Sequence, residues 1–149
     1  MKKETLGLYL HIPFCLAKCH YCDFCSFPAA RGEVKHAYTL ALSQELRAWS
    51  AAASGYTVDT VFFGGGTPTC LETEDLCFLA DQIRDLYHLA DNVEWTSEAN
   101  PATVDAEKLN AMREAGFNRI SLGMQSAHEK ELALLGRIHR AKDLYEAAD

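Results

Sequence analysis

Hydrophobic positions along the chain follow a two-residue repeat in some segments and a spacing of three and four residues in others, and the two kinds of segment alternate. Residues 6–12 have leucine or isoleucine at every second position, which predicts a strand with one buried face. Residues 34–53 place apolar side chains three and four apart, which predicts an amphipathic helix. The same two patterns continue along the chain. The two-residue repeat and short apolar runs predict further strands at 58–63, 93–98 and 119–125. The helical spacing predicts further helices at 72–87, at 105–115 with Gly116 as the stop, and from about His128 onward.

This alternation predicts right-handed crossovers and an α/β fold with a parallel sheet, which is either open and doubly wound or an arc of a barrel. Three of the four strands carry small or polar residues on one face, whereas a sheet covered on both faces has nearly continuous apolar strands. The pattern favours a partial (β/α) barrel with a polar interior. Tyr9, Glu98 and Gln125 lie on that polar face near the carboxyl ends of their strands, where barrels build their sites.

Composition and charge narrow the class of protein. The 149 residues suffice for one domain, and 48% hydrophobic residues can form a core. A balance of 14 basic against 21 acidic residues gives a net charge of −7, which excludes an overall basic footprint for nucleic acid. No apolar run approaches the ~20 residues of a membrane span, and the first residues lack a leader pattern. We therefore expect a cytoplasmic protein.

Four of the six cysteines crowd into residues 15–25, which favours a metal cofactor over disulfides. Cys15-x3-Cys19-x2-Cys22 follows the first strand, and three thiolates leave one iron of a 4Fe-4S cluster open to bind a further molecule. A zinc knuckle is disfavoured because no second Cys or His pair has matching spacing. Cys25 keeps a ferredoxin-like, four-cysteine electron carrier as a distant alternative, although we expect Cys25 not to be a ligand.

A glycine-rich turn, Gly64-Gly65-Gly66-Thr67-Pro68, follows the second strand. Without side chains, its backbone amides can approach a carboxylate and an adjacent carbonyl can approach an amine. A phosphate-binding P-loop is disfavoured because no Gly-Lys-Ser/Thr follows.

Further motifs cover nearly the whole chain: Tyr9-Leu-His11-Ile-Pro-Phe-Cys15, Glu98-Ala-Asn100-Pro101, Asn118-Arg119-Ile-Ser-Leu-Gly-Met-Gln125-Ser and Gly136-Arg137-Ile-His139. On them, and on the cysteine and glycine motifs, the chain resembles the cluster-binding half of a radical S-adenosylmethionine protein of the oxygen-independent coproporphyrinogen III oxidase and heme chaperone family. The resemblance implies three cluster ligands, Cys15, Cys19 and Cys22. It also implies contacts to S-adenosylmethionine from Tyr9, Tyr21, Gly65, Gly66, Thr67, Glu98, Gln125 and Arg137.

Other reactive side chains have less defined roles. For His11, His20 and His139, structural and functional roles both stay open. Cys70 and Cys77 are interpreted as small hydrophobic residues. No catalytic residue is predicted beyond the cluster and cofactor site.

Two branches of the family differ at one position after the third cysteine and in the length of the segment before the first strand. The oxidase branch carries a longer N-terminal arm and a cysteine two residues after the third ligand, where this chain has Phe24. The resemblance therefore favours the heme chaperone branch, which implies a heme or porphyrin ligand, a reducing electron donor and a respiratory protein that accepts heme. The alternative is the oxidase, which decarboxylates propionate side chains by radical chemistry.

The resemblance also implies six β/α units and a C-terminal domain, whereas about four units are recognised here. We therefore interpret residues 1–149 as the N-terminal portion of the radical S-adenosylmethionine core. On that interpretation, the fourth strand has an open edge, and the chain alone is expected to aggregate, to bind a cluster poorly and to lack turnover.

Overall fold

The computed structural model describes residues 4–148 and contains a four-stranded parallel sheet with helices packed on one face. The strands are β1 (Thr5–Ile12), β2 (Phe14–Cys15), β3 (Phe27–Pro28), β4 (Thr57–Gly65), β5 (Leu89–Ala99) and β6 (Arg119–Leu122). The helices are α1 (Gly32–Ala53), α2 (Thr73–Leu86), α3 (Ala106–Glu114), α4 (Glu129–Leu134) and α5 (Ala141–Ala148). No helix within residues 4–148 combines the length and apolar character needed to cross a bilayer.

The main sheet has the order β1-β4-β5-β6, and all its neighbours are parallel. Each strand therefore lies beside the next one along the chain, as in an arc of a barrel, without the reversal of order that marks a doubly wound sheet. The predicted α/β fold with a parallel sheet is confirmed. This arrangement places the carboxyl ends of all four strands at one edge.

The apolar face of the sheet carries the core. Leu10, Val61, Phe63 and Trp95 are almost completely buried against the helices, and Phe117 meets Phe63 edge-on at a centroid distance of 5.0 Å. Such aromatic contacts add to the stabilisation from burial, which is about 25 cal/mol per Å² of apolar surface.

The opposite, helix-free face of the sheet is the polar one. Tyr9 is 60% exposed there and stacks on Phe62 at a centroid distance of 6.1 Å, and Glu94 is exposed on β5. The alternation along β1 assigns the two faces as the sequence predicted. On β5, Glu94 is exposed and Glu98 partly exposed on the polar face, whereas Thr96 between them is buried. The helix-free face corresponds to the concave side of a barrel.

Two strand boundaries differ from the sequence prediction by three residues or more. The third predicted strand begins at Leu89 rather than residue 93, and the fourth ends at Leu122 rather than Gln125. Past β6, Ser126 N donates to Met124 O at 2.8 Å across Gln125, whose φ is 63°, so the chain turns sharply there and cannot continue an extended ladder. The prediction that Gln125 lies on the polar face of the fourth strand is therefore wrong, because Gln125 lies in a loop after β6.

The last predicted helix is interrupted. α4 ends at Leu134, and Gly136 has a φ of 70°, which favours glycine because it has no Cβ. Gly136 N donates to Ala133 O and Arg137 N donates to Leu132 O, which is the Schellman arrangement that closes a helix. The chain then crosses to α5 through residues 136–140, and this connection carries Arg137 and His139.

A small ladder, absent from the sequence prediction, closes the cysteine segment. β2 and β3 pair in parallel, Phe27 N donates to Pro13 O at 2.7 Å, and Ala29 N donates to Cys15 O at 2.9 Å. Residues 16–26 between the two strands, which we call the cysteine loop, are thereby held at both ends beside the carboxyl end of β1.

Candidate functional site

A cavity of about 600 Å³ opens at the carboxyl edge of the sheet. Its walls come from Cys15 with the cysteine loop, the glycine turn (residues 64–67), the end of β5, residues 121–125 and residues 136–138. Polar and charged groups from separate elements thus converge on one concavity, which is the usual form of a ligand site.

Most of the predicted site residues line this cavity, namely Cys15, Cys19, Tyr21, Cys22, Gly65, Gly66, Thr67, Glu98, Gln125 and Arg137. Tyr9 does not line it. Its hydroxyl is hydrogen-bonded to His11 Nδ1 at 3.0 Å, and its pKa is raised by burial and by the negative charge of Glu98. Tyr9 therefore stands beside Glu98 on the concave face, and its contact with a cofactor stays a prediction.

The three motif cysteines are partly buried around the cavity, whereas Cys25 is exposed and outside its walls. Cys22 N donates to Cys19 O at 3.1 Å, and Lys18 Nζ donates to Phe24 O at 2.7 Å, so local hydrogen bonds shape the loop. Among residues 4–148, no three His, Cys, Asp or Glu side chains converge closely enough to hold a single metal ion.

The glycine turn packs directly against the cysteines. A Cβ on Gly66 would lie 2.6 Å from Phe14 O and 3.0 Å from Cys15 Sγ, and Thr67 Oγ1 donates a long hydrogen bond of 3.7 Å to that sulfur. Only glycine permits this approach of the turn to β2.

The amide hydrogens of the turn are already used within the protein. Gly65 N donates to Glu98 Oε2 at 3.1 Å, Gly66 N donates to Ile12 O at 2.8 Å, and Thr67 N donates to Phe14 O at 2.7 Å. The contact of this turn with a cofactor carboxylate stays a prediction. Glu98 instead bridges β5 to β4 and presents its carboxylate at the cavity wall.

Arg137 joins the cysteine loop to the far wall of the cavity. Its Nη2 donates to Gly123 O at 2.8 Å, and its Nη1 donates to Cys19 Sγ at 3.4 Å and to Tyr21 OH at 3.5 Å. Burial raises the pKa of Tyr21, and the Arg137 charge opposes that shift. The guanidinium thus brings a positive charge next to a thiol that is a predicted cluster ligand.

Two cavity residues carry buried polar atoms without a hydrogen-bond partner among residues 4–148, Arg137 Nε and Ser26 Oγ. Buried polar groups are almost always paired, so both atoms fit a site that receives a polar ligand. The donor set, three thiols beside a guanidinium and a hydroxyl, suits an anionic iron-sulfur cluster with a polar cofactor.

Sequence reasoning missed several wall residues. Ser121 and Met124 lie within the quoted motif that runs from Asn118 to Ser126, but the sequence assigned them no role, and Ser26 belongs to no quoted motif. Asn100 had a signal in the Asn-Pro pair, since its Oδ1 accepts from Ala102 N at 3.0 Å and caps a short 3₁₀ turn after β5.

Cys70 and Cys77 do not line the cavity. Cys70 is buried, and burial together with the nearby Cys15 thiol raises its pKa to about 11. Cys77 is half-buried against α3 and makes only a 3.9 Å contact to Ala111 O. Both positions agree with the interpretation of these residues as small hydrophobic groups.

Comparison with known proteins places these features in context. Residues 9–149 match the family model of the radical SAM superfamily. The chain is 45% identical over 99% of its length to the heme chaperone HemW of Escherichia coli, and 37% identical over 94% of its length to the mitochondrial radical S-adenosyl methionine domain-containing protein 1 of Bos taurus.

A solved structure also matches. Over 97% of the chain, the fold superimposes on the coproporphyrinogen III oxidase HemN of Escherichia coli, described as a radical SAM enzyme, with a TM-score of 0.89 and 27% identity. This likeness confirms the predicted partial barrel. The chain spans 39% of the Escherichia coli chaperone, 31% of the bovine protein and 33% of the oxidase.

Proposed function

Because this chain belongs to the radical SAM superfamily, we propose that it binds a 4Fe-4S cluster through Cys15, Cys19 and Cys22 and holds S-adenosylmethionine beside it, as part of a protein of heme metabolism related to the heme chaperones. The observation that carries this proposal is the convergence of the three cysteines, the glycine turn, Glu98 and Arg137 on one cavity. When bound, the cluster supplies an electron and an iron that is open to a ligand.

The residues of the chain have separable tasks in this proposal. The β2–β3 ladder presents the three thiols, and Arg137 offsets the negative charge of their thiolates. Glu98 and Gln125 offer hydrogen-bonding groups to the cofactor from the facing walls. The unpartnered Ser26 Oγ and Arg137 Nε provide further polar contacts.

Sequence identity and the residue at position 24 favour the chaperone function over the oxidase function. The chain is 45% identical to the Escherichia coli chaperone and 27% identical to the oxidase. Phe24 is 70% exposed at the cavity wall, where the resemblance implies a cysteine in the oxidase branch. In the chaperone reading, the ligand is heme, the partners are an electron donor and a heme-accepting respiratory protein, and the compartment is the cytoplasm.

Anaerobic reconstitution with iron and sulfide tests the cluster site. The isolated chain is expected to load poorly and to lose its cluster in air, so the measurement is made on the loaded fraction with air excluded. In that fraction we expect about four irons per chain and an absorption spectrum that changes when S-adenosylmethionine is added. Cys22→Ala should abolish both signals, whereas the matched control Cys25→Ala, three residues away, should retain them. Equal loss from both variants would instead support the four-cysteine carrier.

A second experiment separates chaperone from oxidase. The reconstituted protein is titrated with heme and, separately, incubated with coproporphyrinogen III, reductant and S-adenosylmethionine. Stoichiometric heme binding without decarboxylated product supports the chaperone proposal. Decarboxylated product would replace it with the oxidase.

A further inference from the structure

His139 is a buried histidine whose role the sequence left open. It is 2% exposed and lies between α4 and α5, behind the residues that line the cavity. Burying an imidazole is costly unless both ring nitrogens have suitable partners. The hydrogen-bond partners of the two nitrogens therefore determine the protonation state and the tautomer of the buried ring.

The two partners of His139 require a single tautomer. Nε2 lies 3.2 Å from Met124 O, which can only accept, and Nδ1 lies 3.4 Å from Arg137 Nη2, which can only donate. The ring must then be neutral, with its hydrogen on Nε2 and its lone pair on Nδ1. Burial and the Arg137 charge both lower the pKa of His139, which agrees with a neutral ring.

Each partner belongs to a different wall of the cavity. Met124 O also accepts from Ser126 N in the sharp turn that presents Gln125. Arg137 reaches from the other side to Cys19 Sγ and Tyr21 OH. His139 is thus the common support of the turn after β6 and of the guanidinium beside the cysteine loop.

We propose that His139 is a positioning residue whose Nδ1 lone pair fixes the Arg137 guanidinium between the cysteine loop and the S-adenosylmethionine cavity. The inference rests on the proposed function, because the cluster and the cofactor are the groups toward which Arg137 is held. Without the lone pair, Nη2 keeps only Gly123 O as an acceptor, while Nη1 keeps its longer contacts to Cys19 Sγ and Tyr21 OH. The guanidinium would then be held less firmly in a single orientation. The buried Nε hydrogen would then no longer face the cavity in one orientation.

Three substitutions separate the two contacts. His139→Asn keeps an acceptor oxygen at the position of Nδ1 and loses the donor to Met124 O. His139→Gln keeps a donor at the position of Nε2 and loses the acceptor for Arg137. His139→Leu loses both. A purely structural histidine would be replaced about equally well by either amide.

The measurements are iron content, thermal stability and S-adenosylmethionine affinity of the reconstituted chain. We expect His139→Gln and His139→Leu to weaken the affinity about tenfold to a hundredfold, and His139→Asn to stay within about threefold of the unmodified chain. Losses that follow thermal stability in all three variants, or equal affinities in Asn and Gln, would overturn the positioning role.

A cluster-free measurement makes the inference independent of cofactor binding. Nitrogen NMR of the unloaded chain should show His139 as the Nε2–H tautomer at neutral pH, assigned by its absence from His139→Asn. The Arg137 guanidinium signals should be resolved in the unmodified chain and in His139→Asn, and averaged in His139→Gln. A charged ring, the opposite tautomer, or identical Arg137 signals in both variants would refute the inference. Failure of the unmodified chain to bind S-adenosylmethionine would instead refute the proposed function.

Discussion

Replacing Gly66 by alanine should damage the fold and the cluster site together. The added Cβ would stand 2.6 Å from Phe14 O and 3.0 Å from Cys15 Sγ, whereas ordinary contact begins at 3.4 Å. Phe14 O cannot simply retreat, because it accepts from Thr67 N at 2.7 Å. We expect a loss of about 1–3 kcal/mol in the free energy of unfolding, typical of overpacking at a site that resists relaxation.

The assay is urea unfolding of the cluster-free chain under anaerobic conditions, followed by iron analysis after reconstitution. The matched control is Gly32→Ala in the first turn of α1, where an added Cβ meets nothing within 4 Å. Alanine there should raise the unfolding free energy by roughly 0.4–1 kcal/mol, since it reduces the conformational entropy of the unfolded chain at a position whose backbone it can adopt. The reasoning is refuted if Gly66→Ala matches Gly32→Ala in stability and binds the same amount of iron.

Three further changes probe other parts of the site. Glu98→Ala should weaken S-adenosylmethionine binding about tenfold to a hundredfold in a titration while iron content stays intact, and unchanged affinity would show that its carboxylate does not reach the cofactor. Gln125→Gly should weaken binding yet leave the unfolding free energy equal or higher, because φ of 63° suits glycine; a marked loss of stability in urea would contradict this. Burial and the Arg137 charge lower the pKa of His139, and Asp143 and Glu129 oppose that shift. The contribution of His139 to stability is therefore present above about pH 6.5, the ordinary value, and is lost as pH falls through the folded-state pKa. Thermal melts of the cluster-free chain from pH 7 downward should show this loss, and His139→Asn should show less of it.

The elements that follow a strict period were predictable from the sequence. Burial of alternate positions on β1 and the placement of Glu98 on the concave face follow from the two-residue repeat of a strand. The end of α3 at Gly116 was likewise visible, since glycine closes helices. The cysteine spacing and the glycine turn identified the segments that meet at the cavity, because parallel strands end at one edge.

What escaped prediction depends on contacts between distant residues. The β2–β3 ladder is two residues long on each side, too short to show any period. The turn at Gln125 places a non-glycine residue at positive φ, which has no sequence signal. The break after α4 had a sequence signal in Gly136, but a continuous helical period outweighed a single glycine.

The β2–β3 ladder has a kinetic consequence for metal loading. A loop whose ends are pinned has already lost much of the conformational entropy that a free segment would lose on gathering three thiols around a metal centre. Once the first cysteine has engaged, the other two are therefore present at a high effective concentration. Severing the ladder should slow capture of the second and third thiols more than it weakens the first encounter. The ladder thus makes cluster assembly close to an intramolecular process, even though its own hydrogen bonds add little to the stability of the sheet.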